Sequence, residues 1–484
     1  MVNNTETEPI NKWSDINVKS LSAVSHGIVF LCIVTLSAVV TSCTDKQEKP
    51  KGAQQSSKMV ASETTILATI ADDVKPPQAI PGHEPDPASK DHSASFQVVF
   101  SESGKGVAFL ASKGDGFYVV HNQSRGKVYS AVGTIMLSPD GRRIAYGALV
   151  DGKWRMVVDG KEGRSFDTVL TPLFSPDGQH VAYQAQDGTK WYVVVDTAPN
   201  EGTTTSYTTP EFSSDSSLLA YVEAADTNSK MRLIVSDLLF SKQSIKKSIG
   251  DQLFITNRDK TRIAAVQAVE KKFRIIDFPF ATPDAVREGR LYDVIENVTM
   301  SADGSSMSYC ALRDRARLIF LDDREELLPE GRAPELPVIR PDKKGVGILL
   351  AVQNRISLHQ SFINSKEKGK IYDEAANLTY SKDGSYAYAA RTGKNWFIVV
   401  NGTEGPEFDR VIEPLFSPDG TVLAYRARKD GKRFVVVADA KDGRIIRQHP
   451  PYEQVFQPVF TANGKAIGYG VKDGNKLIWK VEPL

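Results

Sequence analysis

Cysteine is nearly absent from this chain of 484 residues, which has only Cys32, Cys43 and Cys310. Three cysteines exclude a disulfide framework as the source of stability. A dominant charge is missing too: 60 Lys and Arg face 59 Asp and Glu, a net charge of +1. That balance provides no electrostatic footprint for a polyanion, so nucleic acid is not an expected partner. The seven histidines are scattered, with no pair at metal-ligand spacing, and no metal or cofactor is expected. Gly-x-Ser-x-Gly elbows, phosphate loops, dinucleotide fingerprints and the Asp-rich calcium loop are all absent. After Ser95 no segment keeps a helical period over any length.

What the chain does have is one short pattern repeated ten times. Its clearest copies are Leu137-Ser-Pro-Asp-Gly141, Phe174-Ser-Pro-Asp-Gly178 and Phe416-Ser-Pro-Asp-Gly420. Variants begin at Phe100, Phe212, Met300, Tyr380 and Phe460, and decayed copies at Ile255 and Ile339. The second residue of each copy falls at 101, 138, 175, 213, 256, 301, 340, 381, 417 and 461, a spacing of 36 to 45 residues. That is the period of a propeller blade.

One copy, Thr171 to Val195, shows the physics. An apolar run ends at Phe174. Pro176 presets φ, Asp177 can bond its own backbone, and Gly178 tolerates positive φ. Val181-Ala-Tyr183 reads as a strand, Asp187-Gly188 as a hairpin turn, and Trp191 to Val195 as a buried strand. A third turn of the Asp159-Gly160 type precedes a short outer strand, placed at Phe166 to Leu170. The fold class is therefore all-β: a β-propeller of about ten four-stranded repeats, because a lone blade cannot bury both faces. An open solenoid is the competing reading, although its rungs are shorter. Ten repeats make either one large ring or two tandem rings, with a possible junction in 242–289, where the pattern is weakest.

A longer echo relates Trp154…Asp159-Gly-Lys-Glu-Gly163…Phe166-Asp167 to Trp396…Asn401-Gly-Thr-Glu-Gly405…Phe408-Asp409, 242 residues and six repeats apart. Aromatic-Ser-Pro-Asp-Gly followed by apolar-Ala-Tyr resembles the TolB-like, WD-related β-propeller repeat over about residues 96 to 484. The resemblance implies the fold, and a role among scaffolds, periplasmic assembly factors or accessory domains. TolB's amino-terminal α/β domain has no evident counterpart, and the Trp-Asp pair of eukaryotic WD repeats is missing. Only 23 residues follow Thr461, too few for the hydrolase domain that accompanies prolyl-oligopeptidase-type propellers. The Ser-x-Asp-x-Gly-x-x-Trp box of sialidase-like propellers is absent as well.

The amino terminus carries an address. Residues 27–42 form an uncharged apolar run of sixteen residues, shorter than the roughly twenty a spanning helix needs but suited to a signal peptide. Val40-Thr-Ser-Cys43 resembles a bacterial lipobox. The expected organisation is a signal peptide over 1–42, a lipidated Cys43 heading a disordered tether over 43–95, and propeller repeats over 96–484. The alternative is an uncleaved signal anchor. Residues 1–26 carry one more acid than base, unlike the usual positive leader, and a start nearer Val18 would leave a compact Lys19-led signal. Asp45 falls at the third mature position, so sorting resemblance favours the outer membrane of a bacterial envelope, facing periplasm or surface. Cys310, left alone, reads as a buried small hydrophobe.

Few side chains suggest chemistry. His121 and His359 occupy corresponding repeats, which shared ancestry explains. Trp154, Trp191 and Trp396 recur at the start of third strands, as blade packing or as an aromatic binding face. Glu296 and Glu413 precede innermost strands; paired acids in a channel could serve a glycosidase. The second-to-third-strand loops and the blade connectors share one face, where Asn200–Thr209 and His449–Val455 are the most distinctive connectors. The function read from these features is a membrane-tethered, non-catalytic propeller scaffold that binds a protein or envelope component on that face. The alternative is a channel-centred hydrolase acting on saccharide or peptide.

Overall fold

Every described element of the computed structural model is a strand or a turn between strands. The structure describes residues 61–76, 97–203, 209–224, 231–249, 254–329, 335–352, 355–361, 369–461 and 464–484. Lipidation of Cys43 and the signal lie outside the described residues.

Within each repeat the strands pair antiparallel in chain order from the innermost outward. Blade 2 has strands Ala131–Leu137, Ile144–Val150, Lys153–Val158 and Lys161–Phe166. The outer strand thus ends at Phe166; Thr168–Val169, expected to belong to it, instead opens the inner strand of blade 3. Asp167 makes the corner between the two. The same four-strand unit recurs ten times, with blades 4 and 5 joined by one ladder pair, Ile249 to Gln267.

The Ser-Pro-Asp-Gly turns join first and second strands. Ser138 Oγ donates to Asp140 Oδ1 at 2.7 Å and accepts from the Arg143 amide at 2.9 Å. Asp140 Oδ1 also accepts from the Arg142 amide at 3.1 Å. Ser175, Ser213 and Ser417 repeat this network. These serines are buried, so an unpaired hydroxyl would be costly. In the decayed fifth copy Asn257, not Thr256, takes the serine's place, its Oδ1 accepting from Arg262 N at 2.7 Å. The register there is one residue later than the repeat spacing indicates, because an amide can supply the same acceptor.

The core is ten clusters, each shared by two consecutive blades. Tyr146, Tyr183, Tyr388 and Tyr425 on second strands meet Tyr129, Phe166, Tyr372 and Phe408 of the preceding blade edge-on, at 6.0–6.4 Å. Burial pushes the Tyr183 hydroxyl up to about 12. The sequence of clusters runs without a gap from blades 1 and 2 round to blades 9 and 10. The tenth cluster joins blade 10 to blade 1, through Ala68, Ile70, Val74, Phe109, Val120 and Leu477. The repeats therefore form one ring, and residues 242–289 hold no junction between rings among the described residues.

Ring closure uses residues assigned above to the tether. Glu63–Thr69 forms the outermost strand of blade 10, pairing antiparallel with Lys476–Pro483 from Glu63 opposite Val481 to Thr69 opposite Lys476. The propeller begins before residue 96, and the span 43–95 is corrected to that extent. Polar, proline-bearing flanks mask a seven-residue strand whose partner is more than 400 positions away. Phe100 and Phe456, at 4.9 Å, seal the same junction nearer the axis.

Candidate functional site

Two faces follow from this topology. One carries the Ser-x-Asp-Gly turns and the third-to-fourth hairpins. The other carries the second-to-third hairpins and the blade connectors, and is here called the hairpin face. Its hairpins at Asp151-Gly152, Asp314-Arg315 and Asp430-Gly431 take positive φ at both turn residues, the primed turn that suits strand twist.

The sequence reading missed what makes this face rigid. At four blade junctions an acid just past the outer strand ties connector to hairpin. Asp167 Oδ2 accepts from Gly188 N at 2.7 Å and pairs with Lys153 of the previous blade. Lys153, followed by the Gly188 amide, holds the Asp167 carboxyl below its ordinary range. Asp373 Oδ2 accepts from Gly393 N at 2.7 Å and faces Arg355. Asp293 accepts from Asp314 N at 3.2 Å and faces Lys272 at 3.4 Å. Glu453 pairs with Lys472, while its carbonyl accepts from Arg433 Nη1 at 2.9 Å. The aromatic-acid dipeptides Phe166-Asp167, Tyr292-Asp293, Tyr372-Asp373 and Tyr452-Glu453 were the available signal.

A second feature lies on the innermost strands. Four residues before the motif serine or its equivalent, eight blades carry Gln97, Thr134, Thr171, Thr209, Asn297, Asn377, Glu413 and Gln457, with Leu253 in blade 5 and Leu336 in blade 7. Asn297, Asn377 and Glu413 have φ of 56°, 59° and 56° and sit at breaks in the strand register. Neighbours in this polar ring touch: Thr171 Oγ1 donates to Thr134 Oγ1 at 3.3 Å, and Glu413 N to Asn377 Oδ1 at 3.4 Å. Glu335 accepts from Asn377 N at 2.9 and 3.0 Å, and burial pushes its carboxyl up. The recurring Thr-Pro, Glu-Pro and Gln-Pro dipeptides marked this ring in sequence.

Each of the two candidate acids is held by an arginine. Glu296 is ion-paired to Arg317 and Glu413 to Arg426, each within its own blade. His121 Nε2 lies 3.0 Å from the Gly141 carbonyl oxygen, whereas His359 Nε2 has no hydrogen-bond partner. Among the described residues no three His, Cys, Asp or Glu side chains gather as a metal would require. Trp396 is buried between blades 8 and 9, whereas Trp154 and Trp191 are half-buried. Cys310 is fully buried, which pushes its thiol up to about 11.

Of the two distinctive connectors, residues 204–208 of the first lie outside the described residues. The second opens with His449, which is 4% exposed, stacked edge-on against Tyr469 at 5.4 Å, with Nε2 unpartnered. Burial lowers its pKa, with Arg447 and Lys480 adding to the effect and Glu482 opposing it. The unfolded chain therefore takes up this proton first as pH falls below about 6.5, so stability falls through that range. The melting temperature should drop between pH 7 and 5, and His449→Phe should flatten the slope. An unchanged slope in that variant would assign the acid sensitivity elsewhere.

The fold is a β-propeller. No family model matches the chain, and no curated protein matches it by sequence. Among solved structures it is similar to a eukaryotic initiation factor at 12% identity and a TM-score of 0.44, over 72% of this chain and 96% of that one. TolB from Acinetobacter baumannii is similar at 17% identity and a TM-score of 0.29, over 58% of this chain and 79% of TolB. The β-propeller domain of the trilobed protease from Pyrococcus furiosus is similar at 13% identity and 0.32, over 57% and 95%.

Proposed function

We propose that this chain is a non-catalytic scaffold of the TolB-like repeat type, tethered to a bacterial envelope membrane through Cys43, that binds a protein or envelope component on its hairpin face. The pinning of connectors to hairpins by Asp167, Asp293, Asp373 and Glu453 carries this reading. It preorganises the surface at four of the blade junctions, which lowers the ordering cost of binding. Strand direction supports the orientation. Thr69 lies beside the second-to-third hairpin of blade 10, where Ile70 N donates to Asn475 O at 2.7 Å, and Glu63 lies at the opposite end. Residue 61, where the described chain begins, thus lies on the turn-face side, and a tether running to Cys43 from that side would leave the hairpin face free for a partner.

Cys43→Ser is expected to abolish acyl labelling and move the protein from the membrane to the soluble fraction. Labelling that persists in this variant would remove the anchor. Crosslinking from intact cells, with photoreactive residues placed at Gly152 and Gly431, should capture a partner that the same probes at Gly160 and Gly443 on the turn face do not. Capture from the turn face alone would contradict the assignment of the face.

A further inference from the structure

At the corner where each blade begins, the first residue of the inner strand stands opposite a residue near the end of the second strand. Side chains in such a pair lie on the same face of the sheet. In blade 8 that pair is Glu374 and Arg391, opposite charges joined in an ion pair. In blade 3 it is Thr168 and Gln186, in blade 6 Val294 and Leu312, and in blade 10 Gln454 and Lys472. Blade 9 breaks the pattern with Arg410 directly opposite Arg428. Like charges at such a pair destabilise a sheet, so this pair works against the fold.

The surroundings do not neutralise it. Arg410 is exposed and lies 4.0 Å from the ring of Trp396, and Arg391 approaches the same ring at 5.9 Å. Glu374 is the carboxylate that acts most on Arg410, and it is already committed to Arg391. Among the described residues neither Arg410 nor Arg428 has an ion pair. Asp409, the residue before Arg410, makes no ion pair with either arginine among the described residues. Trp396, held between blades 8 and 9, fixes the Arg410 guanidinium as a flat, oriented donor. The result is two guanidiniums on one indole, with a third, Arg428, directly across the strand pair from Arg410 on the hairpin face, a surplus of positive charge that the chain's near-zero net charge conceals.

From this geometry we infer that Arg410 and Arg428, backed by Arg391, form a docking site for a carboxylate-rich segment of a partner protein. The inference rests on the reading of the hairpin face as the binding face and names what the partner brings. Planar guanidiniums match carboxylates in bidentate pairs, and one acidic side chain between Arg410 and Arg428 would replace their repulsion with two attractions. Anionic lipid headgroups are the other source of such oxygens. A partner protein is the occupant named here because the described chain begins at residue 61 on the opposite, turn-face side of the ring.

The test uses the mature protein in detergent with a fluorescein-labelled hexaglutamate peptide as probe. Binding should be measurable and should weaken with salt. It should fall at least tenfold in Arg410→Gln/Arg428→Gln, while Arg142→Gln on the turn face leaves it unchanged. The double variant should melt no lower than the parent, which separates lost binding from lost folding. Hexaglutamate binding that is undetectable, or equal in parent and double variant, would overturn the inference. So would binding of the parent to anionic phospholipid vesicles without binding of hexaglutamate. The cell crosslink separates the two readings: capture that survives the double variant keeps the hairpin face and discards this site. Loss of capture from every hairpin-face probe in the parent would discard the face itself.

Discussion

A chain that begins at residue 96 should lose the ring's closure, melting at least roughly 5 °C below one that begins at residue 61 and aggregating on heating. The physical cause is the strand Glu63–Thr69. Without it the backbone edge of Lys476–Pro483 is exposed along its length, a template for pairing with other chains. Ile70 and Val74, 5% and 8% exposed, leave the cluster that joins blade 10 to blade 1. Burying two such side chains is worth about 3–6 kcal/mol, a large share of the 5–15 kcal/mol that holds a typical protein folded. Thermal unfolding followed by circular dichroism checks this, and a synthetic peptide of residues 61–76 added in trans should recover part of the loss. Equal melting of the two chains would mean that the strand contributes nothing to closure.

Gly106→Ala should be nearly as damaging, although it adds one methyl group. The new Cβ would lie 2.3 Å from the Gly141 carbonyl oxygen and 2.7 Å from its Cα, both backbone atoms of the next blade. Neither can step aside without moving blade 2 away from blade 1. Overpacking of this kind costs typically 1–3 kcal/mol and more where only backbone can yield. Gly152→Ala is the contrast: its Cβ meets nothing within 4 Å, so only the positive φ of 77° penalises it. The first variant should lower the melting temperature several times further than the second. A reversed order would show that the two turns are not in contact.

Much of the fold was legible because its information is local. A serine whose hydroxyl both donates to Asp140 and accepts from Arg143 N leaves the same four-letter trace at Ser175 and Ser417. Primed hairpins leave Asp-Gly for a similar reason. The closing strand was hidden because Glu63–Thr69 has no turn signal and finds its partner only through the ring. The number of rings was hidden because it depends on one contact, blade 10 against blade 1, and not on any repeat. Asn257 shifted the fifth copy by one residue because the backbone asks for an acceptor, not for serine.

The candidate site was less legible. Asp167 and Asp409 looked alike in the six-repeat echo, yet the residue after each sets the difference: Thr168 opposite Gln186 is neutral, and Arg410 opposite Arg428 is not. That contrast requires the register, which repeat spacing alone does not supply. Net charge pointed the other way, because a sum over 484 residues cannot show one unneutralised corner.

The central claim, one closed ring of ten blades, is tested most directly by single-particle electron microscopy of the mature protein viewed along its axis. The expected projection shows ten radial sheets around one channel, with no gap between the first blade and the last. Two smaller rings, or an arc open beside the strand Glu63–Thr69, would contradict it.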